Sequence, residues 1–170
     1  PLNRYIPEHG ISNAWANSYP IRIVHLLEHT AGLPGSTFAD FANQAIDVLP
    51  SDFLKRNAHR LSLRCAPGQY YSYANAGHTV AAAAMEAATQ ESFDRLMAKH
   101  ILGPLDMKTA SFRWRDKSEV VHLSDSYAPS QRSVKGWRMG FRPSGALSAS
   151  LTDVTALLRF YLDSDGSQQA

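Results

Sequence analysis

Apolar positions recur at helical spacing in several stretches of the chain. Ile23, Val24, Leu26 and Leu27 form one such set, and Gly32 and Pro34 stop it. Residues 38–49 carry a second, weaker helical pattern that ends before Pro50. Ser51 and Asp52 open a short third helix, predicted through about Asn57. Asn75 is placed to cap a helix over 76–88, built almost wholly of small residues. Small side chains admit close neighbours, so that helix is expected at the centre of the fold. Ser92 caps a helix over 93–101, ended by Gly103-Pro104. Ser150-Leu151-Thr152-Asp153 has the spacing of a capping box, and 153–162 is amphipathic. Strand signals are sparse. Pro67-Gly68 is a turn, 69–73 alternates like a short strand or extended loop, and 109–146 holds two or three short strands. The prediction is a helix-rich α+β fold. With no repeat, low-complexity tract or linker, residues 1–170 read as one unit.

Composition narrows the function classes. The 170 residues are 44% hydrophobic and 19% charged, which is globular rather than disordered. A net charge of +2 gives no default case for nucleic-acid binding. The single cysteine, Cys65, excludes an internal disulfide or a Cys-rich metal site. The longest small-apolar run, 80–85, is far short of the ~20 residues a membrane span needs. No signal-peptide pattern opens the sequence.

Two motifs offer chemistry, each with a plainer reading beside it. His25-Leu26-Leu27-Glu28-His29 matches the H-x-x-E-H pattern of inverted zinc proteases. Two histidines four apart share a helix face and are able to hold zinc, with Glu28 as base. No third ligand stands out, so the histidines read as residues ending a helix, and no metal is expected. Tyr73 and Asn75, two apart in an extended segment, point to the same side. A phenol in a cleft relays protons where nearby cations stabilise its anion. On spacing alone, a packing Tyr73 and a capping Asn75 are the stronger reading. No serine is followed three residues later by lysine, and Lys108-Thr109-Ala110 misses K-T-G by one residue. The cations Arg113, Arg115, Lys117, Arg132, Lys135, Arg138 and Arg142 read as a solvated face rather than an anion site.

Taken together, the segments resemble the serine β-lactamase and penicillin-binding-protein family, in its class C β-lactamase and esterase branch. Residues 2–7 resemble the family's "PVSKYLP". "IVHLLEHTAGLP" at 23–34 resembles "IRHLLTHTSGLP", with Glu28 where threonine is usual. "PGQYYSYANAG" at 67–77 resembles "PGTRFSYSNTG" and contains the Tyr-x-Asn motif as Tyr73-Ala74-Asn75. "ILGPLDMKTASF" at 101–112 resembles "ILEPLGMTDTRF", and "PSGALSASLTDVTALLRF" at 143–160 resembles "PAGGLVSTAEDLARFL". The segments keep the family's order and similar gaps.

The resemblance implies a partial β-lactamase/transpeptidase-like fold: the helical region, without most of the β-sheet. The family's Ser-x-x-Lys nucleophile and its third motif, Lys-Thr-Gly or His-x-Gly, are expected before residue 1 and after residue 170. For the parent protein it implies acyl transfer on a lactam, D-amino-acid peptide or ester through an acyl-enzyme. Tyr73 is the implied proton relay and Asn75 the residue that orients the substrate's acyl amide. No cofactor is implied. The alternative is a non-catalytic peptide- or cell-wall-binding module on the same fold. The family suggests a periplasmic, secreted or membrane-anchored protein, or a cytoplasmic esterase. A further expectation is association through the face left by the missing sheet.

Overall fold

A computed structural model describes residues 1–8, 10–36, 48–120, 122–134 and 140–163. A 3-10 turn at Leu2–Arg4 leads to α1 (Ile23–Leu27), α2 (Pro50–Asn57) and α3 (Asn75–Thr89). Next come α4 (Phe93–Met97), continued as a π-helical stretch over Ala98–Leu102, then strands β1 (Ser126–Tyr127) and β2 (Ser133–Val134). A one-turn helix α5 (Arg142–Gly145) and the longer α6 (Leu151–Leu162) follow. β1 and β2 pair antiparallel, with Ser126 opposite Val134. The helix-rich α+β expectation holds. The helix expected over 38–49 lies outside the described residues, apart from its end.

The central place of α3 follows from its side chains. Thr79, Val80 and Ala81 to Ala84 are all buried, and α1, α2, α4 and α5 pack around them. Gly77 lets α1 come close: a Cβ there would sit 2.6 Å from the Leu26 carbonyl oxygen. Leu26, Leu33, Phe53, Leu54, Leu61 and Phe141 complete the core around α3, with the Phe53 and Phe141 rings 4.7 Å apart. Burying a Leu or Phe side chain is worth about 1.5–3 kcal/mol, so this cluster is the main stabilising mass.

Local signals differ from the sequence reading at two points, the start of α2 and the cap of α3. α2 begins at Pro50 with Leu49 as its N-cap, rather than being opened by Ser51 and Asp52, because proline's fixed φ suits the first helical position. Residues 69–73 take the extended-loop form, one of the two expected. Gly68 N–H donates to the Thr30 carbonyl (2.8 Å), and the Ser72 hydroxyl to the Leu33 carbonyl (3.1 Å). Asn75 is the first residue of α3, and extended Ala74 is its N-cap with no side-chain cap bond. The Ser92 and Ser150 caps form as expected: their hydroxyls accept from Arg95 N–H (3.4 Å) and Asp153 N–H (3.2 Å). Among the described residues, no helix is long and apolar enough to cross a membrane.

Candidate active site at the Tyr73 turn

α1 ends at Glu28, and His29 turns the chain with a left-handed φ of 59°. That turn sends 30–34 alongside the extended loop that carries Tyr73. His29 bonds this loop twice. Its carbonyl accepts from Ser72 N–H (2.7 Å), and its Nδ1 accepts from Ala74 N–H (3.2 Å). The two bonds flank Tyr73.

Tyr73 stands out from this base with 58% of its surface exposed. Its hydroxyl donates to Asn75 Oδ1 (2.9 Å), and Asn75 Nδ2 donates to Ser36 Oγ (3.0 Å). The expected meeting of Tyr73 and Asn75 on one side is therefore present, and the reading of Asn75 as a helix cap is not. Having no capping duty, the carboxamide keeps a second N–H and a second lone pair beyond these two bonds. Ser36 is the member of this chain of bonds that the sequence did not single out. It lies 39 residues from Asn75, beyond the reach of any spacing rule.

Aromatic rings cluster around His29. The His29 imidazole lies 4.4 Å from the Tyr73 ring, 5.1 Å from that of His78 and 5.9 Å from that of Tyr71. Burial, reinforced by the neighbouring His29, holds His78 below the ordinary histidine pKa. Tyr70 and Tyr71 are more exposed than Tyr73, and neither shares the Tyr73–Asn75–Ser36 bonds.

The zinc pattern dissolves in this geometry. His29 lies beyond the end of α1, so it does not share a helix face with His25. His25 Nδ1 accepts from Arg22 N–H (3.3 Å), while His29 Nδ1 serves Ala74. Each histidine ties down a different backbone segment. The near miss to K-T-G is structural too: the Thr109 hydroxyl and N–H both donate to the Asp153 carboxylate that caps α6.

Arg142 departs from the solvated face read from the sequence. It is buried, grips both Asp94 oxygens (2.5 and 2.6 Å) and donates to the Phe112 carbonyl (3.3 Å). Arg113 pairs with Glu119, Lys117 pairs with Asp125 (2.7 Å), and Arg115 donates to the Thr109 carbonyl (2.5 Å). Lys135 and Arg138 lie outside the described residues.

A family model described as Beta-lactamase matches residues 1–170. Among solved structures, the octameric penicillin-binding protein homologue from Pyrococcus abyssi superposes with a TM-score of 0.72 at 21% identity. The match covers 98% of this chain and 39% of that one. A class C β-lactamase in complex with cefoxitin gives a TM-score of 0.69 at 15% identity, covering 93% of this chain and 42% of that one. The chain thus spans about two fifths of the length of either structure. Among curated proteins, none matches.

Proposed function

Since the chain belongs to the β-lactamase family, we propose that it is the helical part of a serine hydrolase that acts through an acyl-enzyme on a lactam, peptide or ester. The nucleophilic serine, its lysine and the third motif come from sequence outside these 170 residues. The observation that carries the reading is the Tyr73–Asn75–Ser36 chain of hydrogen bonds at an exposed turn. It presents a hydroxyl and a partly unused carboxamide side by side.

In this reading Tyr73 hands its own hydroxyl proton to that lysine, and the serine oxygen attacks the substrate carbonyl carbon while the serine proton passes to the freed Tyr73 oxygen. Collapse of the tetrahedral adduct breaks the bond from carbon to the leaving nitrogen or oxygen. Tyr73 gives the proton to that leaving atom, and the acyl group stays on serine. Water then cleaves the ester. Asn75 holds the acyl amide of a lactam or peptide through its spare N–H or lone pair, so it affects substrates with that group most.

The test is single-turnover acylation of the intact enzyme with a chromogenic lactam and an activated ester. Tyr73→Phe is expected to slow acylation by about 10²–10⁴-fold, the usual worth of general acid–base help. Asn75→Ala removes one substrate hydrogen bond worth about 0.5–1.5 kcal/mol, together with the bonds to Tyr73 and Ser36, and should matter more for the substrate bearing an acyl amide. Tyr70→Phe should be nearly silent. Wild-type acylation by Tyr73→Phe on both substrates would leave Tyr73 a packing residue and remove the proton relay.

A further inference from the structure

We propose that His29 is a positioning residue for the Tyr73–Asn75 turn, acting through the bond that its Nδ1 accepts from Ala74 N–H; the catalytic consequence rests on the role given to Tyr73 above. His29 holds a left-handed φ of 59°, uncommon for a residue with a Cβ. From there it bonds two alternate amides of one segment, Ser72 with its carbonyl and Ala74 with its ring. Tyr73 is the residue between them. Its backbone is held on both sides by a single neighbour, whose ring also packs 4.4 Å from the phenol ring.

Ala74 makes the ring bond consequential. It is buried, and as the N-cap of α3 it precedes the helix, so its N–H has no carbonyl within α3 to bond. Nδ1 fills that need only while it carries no proton, which places the ring proton on Nε2. A displaced Ala74 would move Tyr73 and Asn75 together. Misplacement of a catalytic group by 1 Å costs about 100-fold in rate, although nothing has left the site.

Two substitutions separate the acceptor from the ring. The asparagine side-chain oxygen occupies nearly the position of histidine Nδ1, and asparagine tolerates left-handed backbone. Phenylalanine keeps a ring against Tyr73 and has no acceptor. In the intact enzyme, His29→Asn is expected to acylate close to wild type. His29→Phe should lower kcat by about 10–100-fold with little change in KM. Added to Tyr73→Phe, the His29→Phe change should cost little more, because it acts through Tyr73.

A spectroscopic arm is independent of catalysis and of whether His29→Phe folds. In 15N-labelled wild-type protein at neutral pH, a scalar coupling should link the Ala74 amide nitrogen to His29 Nδ1 across the hydrogen bond. An absent coupling overturns the proposal. So does His29→Phe acylating like wild type when Tyr73→Phe does not, or a folded His29→Asn as slow as His29→Phe. If Tyr73→Phe itself is silent, the proton-relay reading fails, and the coupling still decides whether His29 holds the turn.

Discussion

Gly77 faces the Leu26 carbonyl so closely that a Cβ would lie 2.6 Å from its oxygen. In an ordinary helix interior, replacing glycine by alanine is favourable by roughly 0.5–1 kcal/mol. Here the sign should reverse. Gly77→Ala must push α1 away from α3 and is expected to destabilise by about 1–3 kcal/mol, measured by urea denaturation. A stabilised variant would mean that the two helices part without cost. Gly32 combines two such constraints, a φ of +78° and a Cβ position 2.5 Å from the Cys65 carbonyl oxygen. The two glycines hold the Leu26 and Cys65 backbones close to the segments that carry the Tyr73 turn.

Among the elements, α2 and α4 share one capping group. Glu86 on α3 accepts from Ser51 N–H in the first turn of α2 (3.1 Å) and from Phe93 N–H at the start of α4 (2.9 Å). A carboxylate suits both helix N-termini, where unpaired N–H groups and the dipole favour negative charge. Glu86→Ala strands two partly buried donors and should cost about 1–3 kcal/mol, read as a lower thermal midpoint. Glu86→Gln, which keeps one acceptor oxygen, should cost less. The helices themselves were legible in the sequence because their signals are local: the Ser92 and Ser150 caps and the run of alanines in α3. Glu86 was not, since Ser51 is 35 residues away. Arg142 was misread for the same reason, its partner Asp94 lying 48 residues off. At the site, Tyr73 and Asn75 were visible as a motif, whereas His29 showed only as half of a false metal pattern. What the sequence could not convey was contact across the fold.

The molecule as a whole should be acid-sensitive. Burial, then the Arg22 charge, lowers the His25 pKa against an opposing pull from Glu28. Burial and then His29 lower that of His78. Folded histidines with depressed pKa values bind protons less readily than unfolded ones. Their contribution is full above the unfolded value of about 6.5 and declines as pH falls through the folded values. Asp153 adds a lower window. Burial would raise its pKa, but hydrogen bonds from Thr109 and Ser150 outweigh that and hold it below the ordinary value. Its stabilisation is present above the unfolded aspartate value of about 3.9 and is lost as pH falls through the folded one. Chemical denaturation at stepped pH should show stability declining between pH 7 and 5, then again in strong acid; a flat profile from 7 to 5 would contradict the histidine part. The 170-residue chain should also self-associate. Leu151, Val154, Leu158, Tyr161 and Leu162 lie exposed along α6, and contiguous apolar surface of this kind is normally covered. Sedimentation velocity should show concentration-dependent association that Leu151→Glu with Leu158→Glu abolishes; a monomeric wild-type chain at high concentration would contradict this.

The carboxylate of Glu86 also sets how the structure breathes. Because its two oxygens hold the starts of α2 and α4 separately, a rotamer flip of one side chain releases both. Fraying at the two helix starts should then be coupled through α3, even though Ser92 also holds the start of α4. Amide exchange at the two starts is expected to be linked, although they lie far apart along the chain.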